Sequence, residues 1–260
     1  MRLKDCLKRE LGEGPWPRSF SIIGDIAVIS LKDEEMLKYK DIIAKCIMSI
    51  QKRVKSVWAK VDTEGEFRVA RLIHLGGEKR TETVYKEHGM RFKVDVAKVY
   101  INPSLAEEHH EIAQRVEDGF KVLDAFSGLG FFSFHIAKRA KATSFAIDIN
   151  PFAIKYMIEN IELNKKLLKG TIVPIMGDFG TVAESFKDKY FDVVIMNLPH
   201  KALEYLDVAK RLAKREVILY AVLEDKEVEK KKEELKATEV KKVLDYAPYK
   251  GVWRFVIPIR

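Results

Sequence analysis

Three aspartates close three successive strand-like runs in the second half of the chain: Asp124 in "FKVLDAF", Asp148 in "ATSFAID" and Asp178 just after "GTIVPIM". Between the first two lies "SGLGFF", where Gly128 and Gly130 precede a helix start. Glycines let a backbone approach a bound group closely, and N–H groups at a helix start suit a carboxylate or phosphate. The loop is not GxGxxG, which disfavours a dinucleotide. Asp148 lies 148 − 130 = 18 residues past the second glycine, where an acid can accept both hydroxyls of a ribose. Acids ending three strands in order match a ligand with an ammonium group, a ribose and an adenine amino group, as S-adenosylmethionine has. The competing use of an aspartate after a strand is to cap a helix or turn; three in order beside a glycine loop weigh against it. A fourth strand ends "VIMNLPH", Val194 to His200, placing an amide, a proline and an imidazole behind four apolar residues. In an open α/β sheet the carboxyl ends of strands rim the binding crevice, so Asn197, Pro199 and His200 face a ligand.

The elements that must position these residues alternate. Strands "FKVLDAF", "ATSFAID", "GTIVPIM", "FDVVIMN" and "EVILYAVL" are interleaved with a helix near 131–140 and with helices "PFAIKYMIENIELN" and "ALEYLDVAKRLA". Such βαβ repetition predicts an α/β domain with a mainly parallel, Rossmann-like sheet covered by helices on both faces. It spans about residues 98–260. Upstream, "FSIIGDIAVISL", the helical "DEEMLKYKDIIAKCIMSIQ" with Asp33 as N-cap, and the runs "SVWAKV", "FRVARLIHL", "TETVYKEHG" and "MRFKVDVAKVYI" predict a small α/β domain over about 18–97. Residues 1–17 form a charged N-terminal extension that breaks at "GEGPWP". "DKEVEKKKEELKATEVKKV" reads as a solvated helix.

Composition restricts the function classes. With 260 residues and 47% hydrophobic content the chain buries a substantial core. It has no run of about 18 apolar residues and no signal-peptide pattern, so a cytoplasmic protein with no membrane segment is expected. Lysine and arginine exceed acids by 47 − 39 = 8, which suits a polyanionic partner. The 33% charged content suits a thermophile equally well. Cys6 and Cys46 lack CxxC spacing and are expected to be ordinary thiols, with no metal site and no disulfide. His109 and His110, adjacent on a helix, point in different directions and are not expected to bind metal.

From about Ile23 onward the chain resembles the archaeal and eukaryotic tRNA (guanine-37 N1)-methyltransferases. The motifs carrying the likeness are "IGDIAVI", "GEFRVARLIHLGG", "TETVYKEHG", "FKVDVAKVYINPSLAEE", "LDAFSGLGFF", "IDINPFAIKYMIENIELN", "MNLPHKALEYLDVA" and "YAP". Close relatives in the wybutosine pathway transfer an aminocarboxypropyl group from the same cofactor. The resemblance implies a class I methyltransferase domain preceded by a small RNA-facing α/β domain, with tRNA, through its anticodon stem-loop, as partner and no obligate protein partner. It implies S-adenosylmethionine bound by Asp124, Phe126, Gly128, Gly130, Asp148, Ile149, Asn150, Asp178 and Asn197. It further implies Glu108 as general base, Arg68 as the group stabilising charge, and Asn197 and Pro199 holding the target guanine. The physics accords with this, because guanine N1 must lose a proton before it attacks and the negative charge then spreads to O6. The chain departs from the pattern at Ser104 and His109, where the family commonly has arginine. His200 stands where the family often has lysine and is expected to contact phosphate. The family's module for inspecting the outer corner of tRNA has no room in a preamble of about 20 residues, so the protein does without it or the chain is a piece of a longer one. The alternatives are a wyosine-pathway transferase and a tRNA-binding protein without chemistry.

Overall fold

The computed structural model describes residues 2–31, 34–64 and 69–259, apart from the side chains at 34, 62–64, 69 and 70. It divides into two compact units, Met1–Pro103 and Ser104–Arg260. Arg68 and Asp33, to which roles were assigned above, lie outside the described residues.

The first unit runs α1 (Leu3–Leu11), β1 (Ser21–Ile23), β2 (Ile26–Ser30), α2 (Lys40–Ile50), β3 (Ser56–Glu64), β4 (Val69–Gly77), β5 (Glu82–Glu87) and β6 (Met90–Asp95). The first four strands form one sheet in sequential order, with β2 and β3 parallel and the other pairs antiparallel. The last two form a hairpin. α1 carries its apolar residues at i, i+3 and i+4, so Leu3, Cys6 and Leu7 bury on one face. They join Trp16, Ile43, Ala44, Cys46, Ile47 and Val57 in a single core. The preamble is therefore part of this unit's core. Cys6 and Cys46, expected to be free thiols, form a disulfide with Cα atoms 5.9 Å apart. Spacing rules missed it because packing of α1 on α2, and no local motif, brings the two residues together.

The second unit runs α3 (Ala106–Ala113), β7 (Lys121–Asp124), α4 (Phe131–Arg139), β8 (Thr143–Asp148), α5 (Pro151–Asn164), β9 (Thr171–Met176), α6 (Phe179–Ala183), β10 (Phe191–Met196), α7 (Leu206–Leu212), β11 (Ala213–Glu224), α8 (Val228–Leu235), β12 (Glu239–Ala247) and β13 (Lys250–Pro258). Its seven-stranded sheet has the order β12-β13-β11-β10-β7-β8-β9. The five strands from β11 to β9 are mutually parallel, and β13 is antiparallel to both its neighbours. From β7 the chain first adds β8 and β9 on one side, then returns to place β10 on the other. That reversal opens the crevice between the carboxyl ends of β7 and β10. One face packs α3 and α4 through Ile112, Phe132 and Ile136, with Val116 from the segment after α3, against Val122, Val193, Ile195, Ile218 and Tyr220. The other packs Phe179, Leu206, Ala209 and Leu212 against Leu123, Val194, Met196 and Leu219. Alternate residues of β10 thus enter opposite cores, as a strand covered on both faces requires. The expected solvated helix at 225–243 is corrected: a 3-10 turn over Asp225–Glu227 leads into an α-helix over Val228–Leu235 only, and the second "KK" lies in strand β12 at the sheet edge.

Candidate cofactor and catalytic site

β7 delivers Asp124 to the crevice with no exposed surface. Its Oδ2 accepts a hydrogen bond from the Ser133 hydroxyl at 2.9 Å, while Oδ1 is buried with no hydrogen-bond partner. Burial pushes this carboxyl up to about 7, against the Ser133 hydrogen bond and reinforced by the charge of Asp148. On the neighbouring strand, Asp148 Oδ2 accepts the Gly128 N–H at 2.7 Å and Oδ1 accepts the Asn150 N–H at 2.8 Å. Burial raises its pKa too, opposed by those two N–H donors. Each oxygen keeps a lone pair for a further donor. The two acids thus bracket the glycine loop, and Asp148 also sets its shape. Gly128 has φ 53° and Gly130 φ 82°, a left-handed backbone that disfavours any side chain. A Cβ on Gly128 would meet nothing within 4 Å, whereas one on Gly130 would press on Met157. The loop therefore packs against α5 at Gly130 and presents open space at Gly128.

The remaining expected cofactor residues divide. Phe126 packs against Phe179 at 5.2 Å and Tyr205 at 5.5 Å, and these two rings lie 5.6 Å apart. The three make an aromatic wall, of which sequence reasoning found only Phe126; Phe179 and Tyr205 carry no motif of their own. Ile149 is half-buried beside Asp148. The Asn150 side chain caps α5 by accepting from the Phe152 N–H at 3.0 Å, with Pro151 following. Asp178 is exposed and caps α6 through the Thr181 N–H at 3.1 Å. Capping, the competing use, engages both of these side chains, whereas Asp124 Oδ1 has no hydrogen-bond partner.

Beyond β10, the loop opened by Asn197 is held by its carbonyls. That of Leu198 accepts from the Lys201 and Ala202 N–H groups at 2.9 and 2.7 Å, and that of Pro199 from Val222 in β11 at 3.0 Å. Asn197 and Pro199 stay half-buried and His200 is exposed. Glu108, on α3, is 4% exposed. Its Oε1 accepts from the Tyr220 hydroxyl at 2.6 Å and from Arg254 Nη1 at 2.8 Å. Oε2 is buried without a hydrogen bond, 3.7 Å from Lys241 Nζ. Arg254 also donates to Glu111 at 2.8 Å, and Glu111 pairs with Lys241, which holds its carboxyl below the usual range, with Arg254 acting the same way. Burial, then the charge of Glu108, raises the Tyr220 phenol well above its ordinary value, so it acts as a donor. Pairing in β11 and β10 puts Leu219 beside Met196, so Tyr220 and Asn197 sit at one end of the sheet. Sequence reasoning found Glu108 but not Tyr220 or Arg254. His109 is buried and stacks on Phe131 at 5.2 Å with planes 9° apart. Ser104 and His110 are exposed.

Comparison with known proteins places these features in a lineage. The TRM5/TYW2 methyltransferase domain matches residues 83–246, and the TYW2 N-terminal domain matches residues 3–81. The tRNA (guanine(37)-N(1))-methyltransferase Trm5b of Pyrococcus abyssi is 45% identical over 194 residues, covering 74% of this chain and 56% of that protein. The chain thus spans little more than half the length of that relative. The tRNA 4-demethylwyosine(37)-methyltransferase Taw21 of Saccharolobus solfataricus is 34% identical over 229 residues, covering 85% of this chain and 84% of that one. Among solved structures, a complex of aTrm5 and tRNALeu superposes with a TM-score of 0.86 at 31% identity, covering all of this chain and 78% of that one. A methyltransferase-domain match over more than half of the chain, on a sheet with a glycine loop between the acids that end two adjacent parallel strands, means that this chain belongs to the TRM5/TYW2 methyltransferase family.

Proposed function

We propose that the protein transfers a methyl group from S-adenosylmethionine to N1 of guanosine 37 in the anticodon loop of tRNA. The observation that carries the cofactor assignment is Asp124 Oδ1, a carboxylate oxygen buried without a hydrogen-bond partner at the head of a loop that leaves open space at Gly128. An ammonium group satisfies that oxygen and its charge, a ribose suits the spare lone pairs of Asp148, and an adenine suits the wall of Phe126, Phe179 and Tyr205. The likeness to Trm5b at 45% identity supports the acceptor. We place the protein in the cytoplasm with tRNA. Among the described residues no helix is long and apolar enough to cross a membrane. A disulfide there is of the kind that intracellular proteins of hyperthermophiles carry.

When bound, the cofactor supplies an electrophilic methyl on a sulfonium. The chain supplies proton transfer and position. Glu108 accepts the N1 proton: Tyr220 and Arg254 hold Oε1 and fix the side chain, leaving Oε2 as the oxygen with a lone pair to accept. Oε2 is closed to solvent here, so the entering base must uncover it. Arg68 stabilises charge on O6 through its guanidinium. Asn197 hydrogen-bonds the base edge, and Pro199 gives the loop a rigid step with no competing N–H. The first unit, which contains residues 18–97, is the RNA-facing one, and binding rests largely on lysine and arginine contacts to the anticodon stem-loop phosphates.

A second reading is methylation of a wyosine precursor at the same position, favoured by the 84% coverage of Taw21. The deciding experiment presents tRNA carrying either guanosine or 4-demethylwyosine at position 37, with cofactor labelled on the methyl or on the aminocarboxypropyl portion. Methyl label entering guanosine tRNA is expected. Label entering only the wyosine tRNA selects the second reading, aminocarboxypropyl transfer overturns both, and no transfer to either leaves a binding protein.

A further inference from the structure

The β12–β13 hairpin ends in "DYAPYKG", and two tyrosines of that turn stand in water: Tyr246 is 54% exposed and Tyr249 84%. The turn lies at the carboxyl end of the parallel strands. Glu224, last in β11, pairs with Lys250, first in β13, and the Asp225 N–H donates to the Tyr249 carbonyl at 2.9 Å. Because β10 and β11 are parallel, the same rim carries the Asn197 loop. The two features meet where the His200 ring lies edge-on to Tyr246 at 5.4 Å. Tyr249 has φ 58°, a backbone state that a bulky residue rarely adopts and that is held at a cost.

Lysines around the rings balance the neighbouring acids. Lys250 Nζ lies 5.9 Å from the Tyr246 ring centre. Nearby acids are offset: Lys242 bridges Asp225 at 3.1 Å and Asp245 at 2.9 Å, and Lys226 pairs with Glu224 at 2.8 Å. Two solvated aromatic rings with ammonium groups alongside, on the rim where a target base must be drawn from its stack, match the recognition of single-stranded nucleic acid. Each base offers a π-face whatever its sequence. A flipped base leaves its neighbours unstacked, and an aromatic platform beside the pocket restores that lost stacking.

We propose that Tyr246 and Tyr249 form a stacking platform for the unpaired nucleobases adjoining the target base, with Tyr246 as the principal ring. This rests on the reading of an RNA anticodon loop as substrate. The test uses full-length protein and an anticodon stem-loop carrying 2-aminopurine at either position flanking the target. Wild-type protein is expected to quench the probe at one flank, as stacking does. Tyr246→Ala should abolish that quenching and weaken binding about 5- to 150-fold, with the dependence of affinity on salt unchanged because no phosphate contact is lost. Tyr246→Phe should keep both. Both changes lie at an exposed position, and unchanged thermal melting confirms folding. Quenching and affinity that survive Tyr246→Ala would overturn the platform and leave the tyrosines to a protein contact. A Phe variant as weak as the Ala variant would overturn it too, since the hydroxyl would then be the contact. If wild type binds and quenches but transfers no methyl to guanosine 37, the proposed function falls and the platform stands; if wild type does not bind the RNA, both fall.

Discussion

Asp124→Asn separates what the buried acid does for folding from what it does for the cofactor. In the unfolded chain an aspartate ionises near 3.8, and in the cofactor-free fold burial moves Asp124 to about 7. Below pH 3.8 both states hold the proton and the group is neutral in its effect. As pH rises from there toward 7 the unfolded chain releases the proton while the fold retains it, so stability falls by about 1.4 kcal/mol per pH unit; above 7 the loss is complete and constant. The interval amounts to about 4 kcal/mol, with no discount for solvent because the carboxyl has no exposed surface. Asparagine preserves the shape and a hydrogen bond to Ser133 and removes the ionisation. Urea unfolding of the cofactor-free proteins between pH 4 and 9 should show the variant gaining on wild type through pH 4–7 and holding a constant lead above it. Subtracting the curves cancels the carboxylates they share. Calorimetry should show the opposite for the cofactor: wild-type affinity falls as pH drops below 7, up to about tenfold per unit, because an ammonium binds the ionised acid, whereas the variant binds more weakly with no such slope. Parallel stability curves would refute the reasoning, since Asp124 would then ionise inside the fold as easily as outside it.

Glu108→Gln should retain cofactor affinity and lose about two or more orders of magnitude in single-turnover rate. It also strips a partner from buried Arg254, so adding Arg254→Met should recover thermal stability but not activity, and recovery of activity would remove Glu108 from the base role. Asp148→Ala removes the proposed ribose contacts and the acceptor of the Gly128 N–H, and is expected to weaken S-adenosylmethionine binding; unchanged affinity by calorimetry would reduce Asp148 to a turn residue. Breaking the Cys6–Cys46 bond with Cys46→Ser frees a 40-residue separation and should cost about 4 kcal/mol in urea unfolding without reductant, a difference that vanishes when reductant is added.

The parallel half of the sheet was legible in the sequence because its strands are short apolar runs bounded by acids and glycines, and because the central ones bury both faces. β12 was not. In "EVKKVLDYA" the lysines that make the segment look helical belong to an edge strand, where charge blocks pairing with another chain. The Cys6–Cys46 bond was illegible because half of it lies in a helix whose docking no local pattern announces. The same limit hid the partners of Glu108. Arg254 sits in a strand reading "GVWRFVIP", and its place there makes sense only once Glu108, 146 residues away, is set against it.

That distance bears on how the site is built. Asp124, Asp148 and Asn197 are ends of parallel strands, so the sheet itself positions them. Glu108 comes from α3, ahead of the first strand of the sheet, and is held by Tyr220 from β11 and Arg254 from β13. The antiparallel strand β13 supplies the buried guanidinium that fixes Oε1 of the proposed base. A buried ion pair of this kind is weak evidence of stability, because apolar replacements of similar volume often fold as well or better. Its retention beside the crevice, with Oε2 left without a hydrogen bond, accords with a carboxylate held for chemistry at a cost to the fold, as Asp124 is on the other side of the sheet's reversal.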